Sequence, residues 1–168
     1  EARDRAVRAL LKIDVPNFER RFAKAVDTAL RARDPRPALE HFARWYEMQE
    51  EFWPALFFGG VARRRLSDAD GALDLFAEAL ELAPGQADVL FEMAELFAKR
   101  TNSKRALELV DEALLERPRL AKLHAARVRY LQNLGRDAEA REWHRRVSEL
   151  GVDSPDLRKL GKAFRRRR

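Results

Sequence analysis

Shifted against itself by 34 residues, the sequence brings small and apolar positions into register, and this recurrence constrains the fold more than any other feature. Ala72, Ala106 and Ala140 fall in one column, and Ala79, Ala113 and Val147 in a second. Gly60, Ala94 and Val128 form a third, Leu56 aligns with Leu90, and Pro84 aligns with Pro118. The units are 53–86, 87–120 and 121–154. A weaker copy at 19–52 places Phe22, Val26, Ala38 and Phe42 at matching positions. A unit this short cannot bury its apolar face alone, so units must stack on one another.

Within each unit the apolar spacing predicts two helices. In 87–120 they are expected near residues 87–100 and 103–116, with Thr101-Asn102-Ser103 supplying the turn and the capping oxygens of the second helix. Pro118 stops that helix. Pro54 suits a first helical turn, Ser67 with Asp70 resembles a capping box, and Gly135 marks a turn. The small columns let antiparallel helices approach closely, while larger neighbours such as Leu75, Phe76, Leu80, Leu109, Val110 and Leu114 fill the grooves as core. Ala, Leu, Arg and Glu dominate the composition, with seven Gly and seven Pro, which disfavours a many-turned β fold.

The pattern Leu90, Ala94, Phe97, Ala106, Val110, Ala113, Pro118, preceded by Leu56, Gly60, Ala72, Phe76, Ala79, Pro84, resembles the tetratricopeptide repeat family. Residues 134–140 look like the family's inter-helix turn. The resemblance is strong over 53–140 and partial over 19–52. It implies an all-α fold, an α-solenoid of antiparallel helix pairs forming a right-handed superhelix. The expected organisation is a single domain over 1–168. Residues 1–18 would be a partial upstream repeat or helix, with Pro16 supporting the register. Then come 19–52, the three regular repeats, and a capping helix with a basic tail over 155–168. Arg63 departs from the family, which prefers an aromatic there. His124, Arg127 and His144 make the last repeat more polar than a buried one, as if it ended the stack with a solvated side.

The net charge is +6, and Arg165 to Arg168 contribute four of it, leaving about +2 for the rest. That excess is too small to argue for nucleic acid by itself. There are no cysteines, which excludes disulfides and thiolate zinc sites. No stretch resembles a signal peptide and no apolar run could span a bilayer, so a cytoplasmic location is the expectation. Hydrolase, phosphate-loop and zinc-protease motifs are absent, and His41, His124 and His144 lie far apart. No catalytic, cofactor or metal site is expected. Gly59-Gly60, inside a helix, reads as close packing rather than a phosphate loop, which would follow a strand.

The resemblance implies that first helices line a concave groove that binds a peptide or partner helix. Carried over by register, the partner-binding candidates are Phe57, Arg64, Arg65, Phe91, Lys99, Lys122, Arg129, Gln132 and Asn133. Phe57 and Phe91 hold the same position in consecutive repeats, and an apolar strip edged by cations would suit an acidic peptide with an apolar anchor. One family subclass clamps chaperone tails. Lys122 fits one of its lysines, but Ala126 and Glu92 replace an arginine and an asparagine, so that binding is not expected. The aromatics Phe42, Trp45, Tyr46, Phe52, Trp53, Phe57 and Phe58 read as filling between the divergent and regular repeats, with self-association through this region as the alternative. The leading function is a protein-interaction scaffold. The alternative is a regulatory or positioning module cut from a larger enzyme such as a transferase. RNA binding would need an unbroken cationic stripe, which Asp27, Asp88 and Glu95 interrupt.

Overall fold

The computed structural model describes residues 15–48 and 52–166, and among these every regular element is an α-helix. In order they are α1 (Val15–Arg31), α2 (Arg36–Met48), α3 (Trp53–Arg65), α4 (Ala69–Leu82), α5 (Ala87–Lys99), α6 (Ser103–Glu116), α7 (Ala121–Asn133), α8 (Asp137–Glu149) and α9 (Pro155–Arg166). They form two compact units, Glu1–Leu82 and Ala83–Arg168. Within each, sequential helices pack as neighbours.

In the first unit the aromatic span is spent mainly on a core. Phe42 and Trp45 are buried with Ala25, Ala29, Ala38, Ala55 and Ala62, while Phe22, Phe52 and Phe58 pack against them. The Phe22 ring centroid lies 6.0 Å from that of Phe42, 5.3 Å from Trp45 and 5.2 Å from Phe52. These separations fall within the favoured range for aromatic pairs. Alanines on α1, α2 and α3 let the helix axes close around the rings.

The contact between α3 and α4 explains the paired glycines. Phe76, on α4, is wholly buried. Its ring lies so close to Gly60 that an added Cβ would sit 2.5 Å from Cε1. At Gly59 a Cβ would meet the end of Leu75 at 3.3 Å and Phe42 Cβ at an ordinary 3.8 Å. The packing reading of the pair therefore holds most tightly at Gly60.

The columns behave as small crossing positions should. Ala72, Ala79, Ala106, Ala113 and Ala140 are all fully buried, and Val147 is 1% exposed. Phe76, Leu109 and Val110 are buried as expected, whereas Leu75, Leu80 and Leu114 are only half-buried.

A further column appears only in the backbone. Ser67 (φ 64°), Thr101 (φ 60°) and Gly135 (φ 72°) are left-handed, and each lies 34 residues from the next. Just beyond them, Asp68 N–H donates to Arg63 O at 3.0 Å, Asn102 N–H to Phe97 O at 2.9 Å, and Arg136 N–H to Leu131 O at 2.9 Å. The first helices of the three regular repeats, α3, α5 and α7, thus end in the same left-handed cap, whose six-to-one bond satisfies a terminal carbonyl.

Two local expectations shift. The cap of α4 is Asp68 rather than Ser67: its Oδ1 accepts from Gly71 N–H at 3.0 Å and its Oδ2 from Arg63 Nη1 at 2.6 Å. Ser67 is the left-handed residue before it, so a box starting at Ser67 is one residue out. Both bonds hold the Asp68 carboxyl below its ordinary pKa, the Gly71 amide most. Pro16 lies in the first turn of α1, where a proline begins a helix; Pro84 and Pro118 follow helix ends. The expected upstream segment, residues 1–14, lies outside the described residues. Asn102 caps α6 as expected, its Oδ1 accepting from Arg105 N–H at 3.1 Å.

In the second unit, α9 covers the end of the α7–α8 pair. Leu157 is buried with Ala125 and Val147, and Trp143, Val152 and Leu160 pack around them. The polarity of this pair is mostly internal, contrary to the expected solvated side. His124 occupies the column of Leu56 and Leu90 and is 3% exposed. Its Nε2 bonds Pro118 O at 2.8 Å. Arg127 lies 3.9 Å over the Trp143 ring, and its Nε donates to Asp111 at 2.6 Å. His124 Nε2 and Arg127 Nε thus have partners, which makes their burial tolerable, whereas His124 Nδ1 and the Trp143 indole N–H are buried with no hydrogen-bond partner among the described residues.

Candidate functional site

The residues singled out by register fall on the first helices of both units. In the first unit they lie on α3. Phe57 is half-buried, its centroid 5.0 Å from Phe58, 6.0 Å from Phe76 and 6.4 Å from Trp53. It belongs to the ring packing of the unit as much as to its surface. Arg65 donates through Nη1 to Ala29 O at 2.7 Å and through Nη2 to Ala32 O at 2.6 Å. It caps the carboxyl end of α1, where a cation also meets the negative pole of the helix. Arg64 is half-buried beside it.

In the second unit the chosen residues form two small clusters along α5 and α7. In the first, Lys122 Nζ reaches Asp88 Oδ1 at 2.6 Å and stands 4.7 Å over the Phe91 ring. In the second, Glu95 Oε1 accepts from Arg129 Nη2 at 2.7 Å and from the Tyr130 hydroxyl at 2.6 Å. Burial, with Glu95 alongside, pushes the Tyr130 phenol well above its ordinary range, so it stays a donor. Around this second cluster lies a surface concavity of about 430 Å³ lined by Glu95, Ala98, Lys99, Arg129, Gln132 and Asn133, with Tyr130. Four candidates, Lys99, Arg129, Gln132 and Asn133, are thus brought together.

Register reading treated the acids as interruptions of a cationic groove. In fact Asp88 and Lys122 are one repeat apart, as are Glu95 and Arg129, and each acid pairs with the cation above it in its own column. Opposite charges one repeat apart were the available signal. Lys99 is exposed, and among the described residues no carboxylate lies within ion-pair distance of it. Tyr130 was not singled out. Its column neighbours are Ala62 and Leu96, so register makes it core, and only the fold turns its hydroxyl to Glu95.

Among the described residues no cluster of three His, Asp or Glu could hold a metal ion, and no helix is long and apolar enough to cross a membrane.

These antiparallel pairs with one repeated cap and one repeated set of small crossing positions define a helical-repeat protein. The family model described as tetratricopeptide repeat matches residues 64–130, and over that span the repeats are tetratricopeptide repeats. No curated protein matches the sequence. Among solved structures, a crystal structure of MamA is 19% identical, with a TM-score of 0.70 over 94% of this chain and 88% of that one. The Sgt2 TPR domain from Aspergillus fumigatus is 19% identical, with a TM-score of 0.61 over 68% of this chain and 78% of that one. A tetratricopeptide repeat protein from Parabacteroides merdae ATCC 43184 is 19% identical, with a TM-score of 0.70 over 84% of this chain and 57% of that one. At such identities the likeness is one of fold. Tetratricopeptide repeats serve generally as non-catalytic protein-interaction modules.

Proposed function

We propose that this chain is a protein-interaction scaffold whose second unit holds an extended peptide of a partner protein on the α5–α7 face. The observation that carries the reading is the concavity at Lys99, Arg129, Gln132 and Asn133. A side-chain amide offers a donor and an acceptor together, which suits the alternating N–H and C=O groups of an extended backbone. Arg129 and Glu95 neutralise each other at the floor, so Lys99 supplies the net charge and favours an acidic residue beside the gripped segment. Phe91, with Lys122 over one face of its ring, gives an apolar anchor point at the other end of α5.

The test is capture of a partner by the purified chain, repeated with Lys99→Glu and Asn133→Ala combined. Both side chains are exposed, so the fold should be untouched. Loss of one defined protein from the captured set, and its retention by Arg119→Glu, an exposed loop residue, is the expected result. A captured partner indifferent to both substitutions would remove this face from consideration.

A further inference from the structure

The basic charge of this chain is concentrated at its C-terminal end. Residues 135–168 carry eleven Lys and Arg against six Asp and Glu, nearly the whole +6 of the molecule. The fold gathers part of this excess around a cleft between α8 and α9, of about 690 Å³, away from the α5–α7 face. Its floor is Ala138, His144, Gly161 and Phe164, and Arg141 and Arg165 stand at its edge.

The floor is built to stay in place. His144 Nε2 bonds Leu157 O at 2.8 Å, and its ring meets Phe164 edge-on at 5.7 Å. A Cβ at residue 161 would come within 2.8 Å of His144 Cε1, so glycine is what lets α9 lie against the imidazole.

The charges around the floor are unequally committed. Arg145 binds Glu142 at 2.7 Å and Glu149 at 2.6 Å, and Arg146 binds Glu142 again at 2.7 Å. Both acids of the cleft are therefore occupied. Arg141 has only the Phe164 ring beneath it, 5.9 Å away. Among the described residues neither Arg141 nor Arg165 has a carboxylate partner.

We propose that this cleft is a second docking site, for an acidic peptide segment whose carboxylates bridge Arg141 and Arg165 and whose apolar side chain rests on Ala138 and the edge of Phe164. Arginine forks suit carboxylates bidentately. Charge complementarity selects the peptide, and the rigid floor gives it register. A nucleic acid fits less well. Phe164 is 9% exposed, too covered to stack a base. A lipid surface fits less well too, since the exposed side of α9 presents Arg158, Lys159, Lys162 and Arg165 without a large apolar residue to insert.

The probe is a fluorescein-labelled peptide of glutamates around one central leucine, titrated at low salt by anisotropy against the whole chain. Saturable binding is expected, weakened about tenfold by Arg141→Glu with Arg165→Glu and by less than about twofold by Lys159→Glu with Lys162→Glu. The second pair makes the same charge change on α9 outside the cleft. Circular dichroism of both variants should match the parent, since all four side chains are exposed. Equal weakening by the two pairs would mean attraction to net charge alone and would overturn the site. So would absent binding, or tighter binding of a single-stranded oligonucleotide or of phosphatidylserine vesicles than of the peptide.

Discussion

Gly60→Ala adds one methyl group to the chain and should destabilise the first unit. Glycine in a helix interior ordinarily costs about 1 kcal/mol relative to alanine, so propensity alone forecasts a gain. Contact geometry opposes it. The new Cβ would lie 2.5 Å, 2.7 Å and 3.0 Å from three carbons of the Phe76 ring, whereas carbon atoms rest at about 3.5–4.0 Å. The ring must therefore retreat by about 1 Å. Phe76 has no exposure and packs on Phe57, so it has no empty space to enter. Overpacking of this kind costs about 1–3 kcal/mol, so the net loss should be about 1–2 kcal/mol after the propensity gain.

Gly59→Ala supplies the control. There the nearest atom is a flexible Leu75 methyl at 3.3 Å, and the propensity gain should leave stability unchanged or raised. Urea unfolding followed by tryptophan fluorescence reads the effect, because two of the three tryptophans, Trp45 and Trp53, lie in the first unit. Phe76→Leu in the Gly60→Ala background should recover part of the loss, a coupling that contact predicts and independence forbids. If Gly60→Ala were as stable as the parent, the close approach of α3 and α4 at this point would be wrong.

Two further perturbations test the second unit. His124 is buried, and desolvation holds its pKa below the ordinary histidine value, with Arg127 adding to the effect. The unfolded chain then binds a proton that the folded one refuses, so stability should be constant above about pH 7 and fall as pH drops through about 6.5. The urea midpoint of His124→Gln should vary less than the parent's between those limits and pH 5; parallel profiles would refute the assignment. Thr101 is a β-branched residue in the left-handed region, a conformation that costs an L-residue about 1–2 kcal/mol. Thr101→Gly should therefore stabilise the fold by about 0.5–1 kcal/mol after the entropy cost of glycine, read as a higher thermal midpoint. A lower midpoint would show that the Thr101 hydroxyl bond to Arg100 O outweighs the strain.

The repeat, the helix pairs and the buried alanines were legible in the sequence because each is a local or periodic property. A crossing position in one unit needs a small residue in every unit, so Ala72, Ala106 and Ala140 align without knowledge of the fold. The turn column was half legible: Gly135 announced itself, while Ser67 and Thr101 adopt the same left-handed backbone without glycine's signature, because the cap's hydrogen bond offsets their strain.

The sequence by itself thus determined the period, the pairing of helices and which faces are buried. Charge commitments were decided by the tertiary structure. Lys122 and Arg129 looked like free cations until α5 and α7 lay side by side and set Asp88 and Glu95 against them. Arg65 looked like a groove residue until α1 ended beneath it, and His124 looked solvated until Trp143 and Pro118 closed over it. Register assigns a residue to a helix face, but the reach of a long polar side chain exceeds the spacing between helices. Its partner is therefore chosen by the neighbouring helix, and one strand of sequence does not show how near that neighbour stands.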